Sequence, residues 1–509
     1  MILFLLLVGL QSAVPQGEAV TVAARQHLKR GYELAEKGDL KPAEAELRQA
    51  IRVAPNYAAA VAFLGAILFR QGNLGEANSY FERALRLDPA DLGTRYNLAL
   101  SQTRLGEDIP AKTNLEWILK AKPGHPQARL LLGTVLERRG EDARAVELLE
   151  SAPDLLRQAP DAIMSLARCY YRADKDEKAH QTLELLLGHP AGPEATFAGA
   201  RTAAQAGDLN TAERLFESIR SSYPDQVTLE YELALAQYNA GRFADSRSQL
   251  LKTINSGARD TRLVRLLAWT YQRENRTEEA ARTMMQAVEL DPSAEAGYTE
   301  FGMLLLEQGR YTQAYDVAAK ALERMPNSAA AYRVKGLAEG YLQSLRQALK
   351  SFTRAVELDP GDAEALLLVG QAEANLWMIP EATATLQKGI ARFPRNARFH
   401  ETYGRMLLQP SAQPDAEAET RARALLEKAL ALDSSLPDTH HELGKLLLRQ
   451  GNAVEALPHL EAAAKLKPKD GKYLLTLANV YRELEREDDY RNALEAYRTL
   501  QARENQKQR

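Results

Sequence analysis

The sequence predicts an all-α protein, a right-handed superhelical α-solenoid of about fourteen helix-turn-helix units, and three observations carry that expectation. Proline recurs every 34 residues, at Pro55, Pro89 and Pro123 and again at Pro292, Pro326, Pro360 and Pro394; the phase returns at Pro468 once a short insertion is subtracted. Small and aromatic residues come back at constant offsets between these prolines. A glycine sits near the middle of many periods, at Gly38, Gly72, Gly106, Gly140, Gly207, Gly241, Gly309 and Gly451. A constant period of this length marks stacked supersecondary units, each unable to bury its apolar face alone.

Numbering each unit from 1, with proline at 32, places starts at 24, 58, 92, 126, 160, 193, 227, 261, 295, 329, 363, 397, 437 and 471. The array then occupies 20–504, followed by a polar tail at 505–509. Each unit reads as two amphipathic helices. Close helix crossing needs small side chains, which position 8 supplies as Gly65, Gly133, Ala268, Gly302 and Gly444, and position 20 as Ala77, Ala111, Ala280 and Ala456. Leu115, Leu149, Phe216 and Leu460 at position 24 fill the adjoining gaps. The mid-unit glycine accepts the left-handed conformation that follows a helix end. Proline then stops the second helix, because it lacks an N–H and disfavours helix at the residue before it.

Unit two carries Leu64-Gly65, Leu68, Ala77, Phe81, Ala84 and Leu87-Asp88-Pro89; unit nine carries Phe301-Gly302, Leu305, Gly309, Ala314, Ala318, Ala321 and Pro326. This pattern resembles the tetratricopeptide repeat family. The resemblance implies a groove lined by positions 2, 5, 9, 12 and 13 of each first helix, in which an extended peptide or a helix lies.

Carried onto units five to eight, that register selects Arg168, Tyr171 and Arg172, then Arg201, then Tyr231 and Tyr238, then Arg262, Arg265, Trp269 and Arg273. Arginine and aromatic side chains are enriched at binding hot spots, for their area and directional contacts. An acidic or aromatic-acidic protein segment is the ligand they suit. The competing expectation is that the arginines merely solvate a groove and that Tyr231 and Trp269 pack between repeats. Units nine to eleven present smaller, more apolar residues on the same register, among them Met303, Leu337, Gly340, Leu367 and Ala374. The family's carboxylate clamp is not supported, since only Asn97 matches it.

Catalytic chemistry finds no motif. The eight histidines include the adjacent pair His440-His441, whose side chains would diverge by about 100° on a helix, and none stands at a zinc-site spacing. No phosphate-binding glycine loop and no nucleophile elbow occurs. Cys169 is the single cysteine and is expected to be a buried, inert thiol. No cofactor is implied. A net charge of −3 argues against bulk attraction to nucleic acid.

Residues 1–19 differ from the rest: an apolar run, Ile2 to Val8, precedes small residues at Gly17 and Ala19. This resembles a secretory signal cleaved after Ala19, too short to span a bilayer, which would leave no integral membrane segment. No Lys or Arg precedes the run, so a structural apolar cap is the alternative, with a cytoplasmic location. The string Gln409-Pro410-Ser411-Ala412-Gln413-Pro414-Asp415 lengthens one turn, as a neutral insertion or a binding loop. Together these features suggest a non-catalytic scaffold that binds protein through its groove, exported or periplasmic. The alternative is a regulatory or substrate-recruiting subunit whose catalytic partner is another chain, as in a glycosyltransferase or polysaccharide-export assembly. Oligomeric state is left open.

Overall fold

The computed structural model describes residues 21–409 and 416–507, and the regular structure among them is helical throughout, twenty-nine helices in all. The expected insertion and the N-terminal apolar run lie outside the described residues, apart from Gln409. Contacts divide the chain into two compact units, 1–258 and 259–509.

In the first unit the helices are Val22–Glu36, Leu40–Val53, Ala58–Arg70, Leu74–Leu87, Leu92–Arg104, Asp108–Ala121, Pro126–Arg138, Asp142–Glu150, Pro153–Leu156, Pro160–Arg172, Asp176–Glu184, Pro193–Ala206, Leu209–Ile219, Gln226–Asn239 and Phe243–Asn255. In the second they are Thr261–Arg273, Thr277–Leu290, Glu295–Glu307, Tyr311–Arg324, Ala329–Tyr341, Leu345–Leu358, Ala363–Asn375, Ile379–Arg392, Ala397–Leu407, Ala416–Leu432, Pro437–Arg449, Ala453–Leu466, Gly471–Glu483 and Glu487–Lys507. Within each unit, neighbours in sequence pack as hairpins, and most first helices also touch the first helix of the next pair. None of the described helices is long and apolar enough to cross a membrane.

Second helices stop where proline dictates. Ala54, Asp88, Lys122 and Asp359, each preceding a proline, leave the helix with ψ between 85° and 89°, the extended conformation that a following pyrrolidine ring enforces. Many first helices are opened by side-chain caps: Asp91 Oδ1 accepts from the Gly93 N–H at 2.9 Å and Asp362 Oδ1 from the Ala365 N–H at 3.0 Å. The one-turn helix Pro153–Leu156 is an addition that the period did not foretell. Pro153 cannot extend the preceding helix, and the extra turn carries Leu156 into the core.

The reversal within a pair uses a left-handed residue. All eight mid-unit glycines adopt φ between 71° and 87°; five other pairs make the same turn with Asp174, Asn275, Gln343, Trp377 and Glu485, at φ of 52–61°. Glycine at position 8 answers a different need. A Cβ at Gly133 would lie 2.6 Å from Leu149 Cγ, and one at Gly444 would lie 2.6 Å from Leu460 Cγ. Each large residue thus fills the space its own glycine leaves. Leu149 and Leu460 are fully buried, and truncating such a leucine to alanine costs about 2–5 kcal/mol.

Candidate interaction face

The ten residues singled out on the first-helix register fall into two sets, six in the first unit and four in the second. In the first, Arg168 and Arg172 lie one turn apart on the helix Pro160–Arg172 and converge on one carboxylate of the preceding first helix. Arg168 Nε and Nη2 donate to the two oxygens of Glu137 at 3.1 and 2.7 Å, and Arg172 Nη2 donates to Glu137 Oε1 at 2.8 Å. Arg172 also grips Asp142 in a fork, Nε to Oδ2 at 2.9 Å and Nη2 to Oδ1 at 2.7 Å. Burial pushes the Glu137 carboxyl upward, but the two guanidinium groups outweigh it and hold that acid below its ordinary range. Hydrogen bonds from Arg172 likewise depress Asp142.

Tyr171 points elsewhere: its hydroxyl donates to Asp208 Oδ2 at 2.8 Å, and burial followed by that carboxylate raises its pKa. Arg201 approaches Glu232 at 3.5 Å with nearly half of its side chain exposed. Tyr231 and Tyr238 are half-buried on the next first helix, Tyr238 edge-on to Phe243 with ring centroids 5.5 Å apart.

In the second unit, Glu300 binds two of the four candidates. Its Oε1 takes Arg265 Nη1 at 3.1 Å, and its Oε2 accepts from the Trp269 indole N–H at 3.2 Å. Arg265 is 18% exposed, so most of its length packs between helices. Arg262 folds back on the capping carboxylate Asp260, Nη2 to Oδ2 at 2.6 Å, and Arg273 is exposed in the last turn of the helix. Apolar character further along the register is partial: Met303 is exposed and a Cβ at Gly340 would meet open space, whereas Leu367 and Ala374, expected on that face, are buried.

Reasoning from sequence missed the carboxylates, Glu137, Asp142 and Glu300, that organise these cations. A signal for two of them exists: Glu137 precedes Arg172 by 35 residues and Asp142 precedes it by 30, offsets that repeat stacking turns into contact.

The remaining candidates for chemistry resolve into packing. Cys169 is buried, 3.6 Å from Asp142 Oδ1, and burial with that carboxylate beside it pushes the thiol up to about 12. His440 and His441 diverge. His441 Nε2 meets Thr476 Oγ1 at 2.9 Å, while His440 Nε2 donates to the Ser434 carbonyl at 3.1 Å. His440 Nδ1 lies 3.0 Å from His459 Nδ1, so the two rings meet edge to edge. Among the described residues no group of three or more His, Cys, Asp or Glu side chains is placed to hold a metal ion.

Comparison with known proteins follows the same division into repeats. A family model described as Tetratricopeptide repeat matches residues 28–91, 111–163, 265–329, 333–376 and 420–471, and a second model of that description matches 203–270. Protein CTR9 homolog of Arabidopsis thaliana is 20% identical over 304 residues, 57% of this chain; the match spans 28% of that relative's length. Among solved structures, yeast Tom70 is similar at 18% identity and a TM-score of 0.42, over 89% of this chain and 96% of that one. The APC/C hetero-tetramer Cut9-Hcn1 is similar at 14% identity and a TM-score of 0.41, over 90% and 96%.

Proposed function

The chain belongs to the tetratricopeptide repeat family, and on that premise we propose that it is a non-catalytic scaffold whose first-helix face binds an acidic segment of another protein. One observation carries this reading. Arginine side chains on the first-helix register stay partly open to solvent while paired: 37% of the Arg168 side chain is exposed, 43% of Arg172 and 48% of Arg201 in the first unit, and 41% of Arg262 in the second. A guanidinium has five donors, so a partner carboxylate can join each cation without displacing the internal one. Tyr231 and Tyr238, half-buried on one first helix, and Trp269 in the second unit add ring surface on the same register. A charge-assisted hydrogen bond that becomes desolvated contributes about 1.5–3 kcal/mol.

The test is a titration of fluorescein-labelled acetyl-hexaglutamate into the full chain at two salt concentrations. Binding is expected to weaken as salt rises and to fall in the triple variant Arg262→Ala, Arg265→Ala, Arg273→Ala. Equal affinity for the native and triple-Ala proteins, with native circular dichroism retained, would overturn the assignment of this face. The N-terminal run bears on location: export places the mature terminus near Val20, and terminal sequencing of the natural protein reads it directly. An intact Met1 terminus in the cytosolic fraction refutes export.

A further inference from the structure

Four described second helices that are followed by another first helix carry an acid at the same register position, seventeen residues into the period counted without the insertion: Asp108, Asp142, Asp176 and Glu419; Glu487 holds the same position in the last described pair. At three of them an arginine in the last turn of the next first helix reaches back across the repeat junction. Arg138 pairs with Asp108, Arg172 with Asp142 at 2.7 Å, and Arg449 with Glu419 at 3.8 Å. Each arginine lies 30 residues beyond its acid. Asp176 is the exception. The unit that follows it is displaced by one residue, and its register position holds Gln205, with Ala206 next.

The missing arginine coincides with a cavity. A solvent-open cleft of about 370 Å³ lies between the turns of these two pairs, lined by Tyr171, Asp176, Glu177, His180, Asp208 and Asn210. Most of its lining is already engaged. Asp208 accepts from Tyr171 Oη, from the Thr211 N–H at 3.0 Å and from Thr211 Oγ1 at 2.5 Å; Glu177 accepts from Gln181 at 2.8 Å; His180 faces Thr211, with Arg214 at 3.2 Å. The side chain of Asp176 is exposed and has no hydrogen-bond or ion-pair partner among the described residues. No third metal-ligating group is placed to join it and a neighbour around a cation.

We infer that this cleft is a socket for the guanidinium group of an arginine on a partner protein, which supplies from outside the contact that Arg138, Arg172 and Arg449 supply from within the chain. The internal contacts say why guanidinium fits. Arg172 holds both oxygens of Asp142 through Nε and Nη2, a planar fork that an ammonium cannot reproduce. The inference rests on the reading of the array as a protein-binding scaffold but concerns a different place, the turn side of two pairs, and a ligand of opposite charge.

The experiment titrates N-acetyl-L-arginine N-methylamide into the full chain and follows the probe by saturation-transfer NMR, with the uncharged citrulline analogue and the lysine analogue as comparators. Saturation by the arginine probe is expected, none by citrulline, and weaker binding by lysine. Asp176→Asn should weaken the arginine probe about tenfold, and Gln205→Arg, which brings a guanidinium of the chain's own into the cleft, should abolish binding. Equal response to arginine and citrulline, or an unchanged arginine affinity in a folded Asp176→Asn protein, overturns the inference. The triple variant at Arg262, Arg265 and Arg273 should leave this probe unaffected, so failure of the acidic-segment reading and failure of the socket are separately visible.

Discussion

Removing Arg168 and Arg172 together isolates the energetics of the cationic face. Glu137 has 4% of its side chain exposed and accepts three guanidinium hydrogen bonds. Methionine at both arginine positions keeps the apolar stems but leaves that carboxylate buried without a counter-charge, a change that costs 3–5 kcal/mol in comparable pairs. Both arginines are about two-fifths exposed, so the lower end applies, about 3 kcal/mol. Adding Glu137→Met should recover most of that loss, because the expensive element is the unpaired charge and not the missing bridge.

The pH dependence has a definite sign. Glu137 and Asp142 are held below their unfolded values, so their contribution is complete above the unfolded carboxylate range and is lost as pH falls through the lower folded values. In the double-Met variant Glu137 can escape its penalty by protonation, so the deficit relative to the native protein should be largest at neutral pH and shrink in acid. Repeat arrays open locally, which makes hydrogen exchange of the helices Pro126–Arg138 and Pro160–Arg172 the appropriate assay. A deficit under 1 kcal/mol at pH 7, or a triple-Met protein less stable than the double, would refute the reasoning.

Three further outcomes follow from the geometry. Gln343→Gly and Trp377→Gly, at φ of 61°, should each stabilise by about 0.5–1 kcal/mol, since a left-handed residue with a Cβ costs roughly 1–2 kcal/mol and glycine returns part of that as chain entropy; an unchanged or lower unfolding midpoint contradicts this. Gly133→Ala forces its new methyl against Leu149 and should destabilise by about 1–3 kcal/mol, with Leu149→Ala costing less in that background than alone; strict additivity in a double-mutant cycle would show that the two do not compete for one space. Cys169, with its thiol pushed up to about 12, should resist iodoacetamide at pH 8 until denaturant opens its helix, and rapid labelling of the native protein would place the thiol at the surface.

Much of the architecture was readable because it is written in local backbone chemistry. Pro55, Pro89, Pro123 and Pro360 end helices through a missing N–H, and Gly38, Gly207 and Gly451 adopt a left-handed φ that most residues avoid. These effects act within a few residues, so they survive in a single sequence. Asp174 and Asn275 enter the left-handed region more readily than most residues, but the same logic is blind to Gln343, Trp377 and Glu485, which occupy the glycine position without its signature. Stacking of the repeat overrides their local preference.

What the sequence alone determined, then, is the helical class, the period and the residue types on each register. The tertiary structure decided the partners. Whether Arg172 is a lone cation or half of a fork depends on Asp142 arriving from 30 residues earlier. Whether Asp176 is paired depends on Gln205 arriving where an arginine stands at other junctions. His440 likewise meets His459 rather than its neighbour His441. Such contacts form between helices, where a one-residue change of register moves a side chain by about 100° around its axis, and only the packed repeats select which charge each arginine faces.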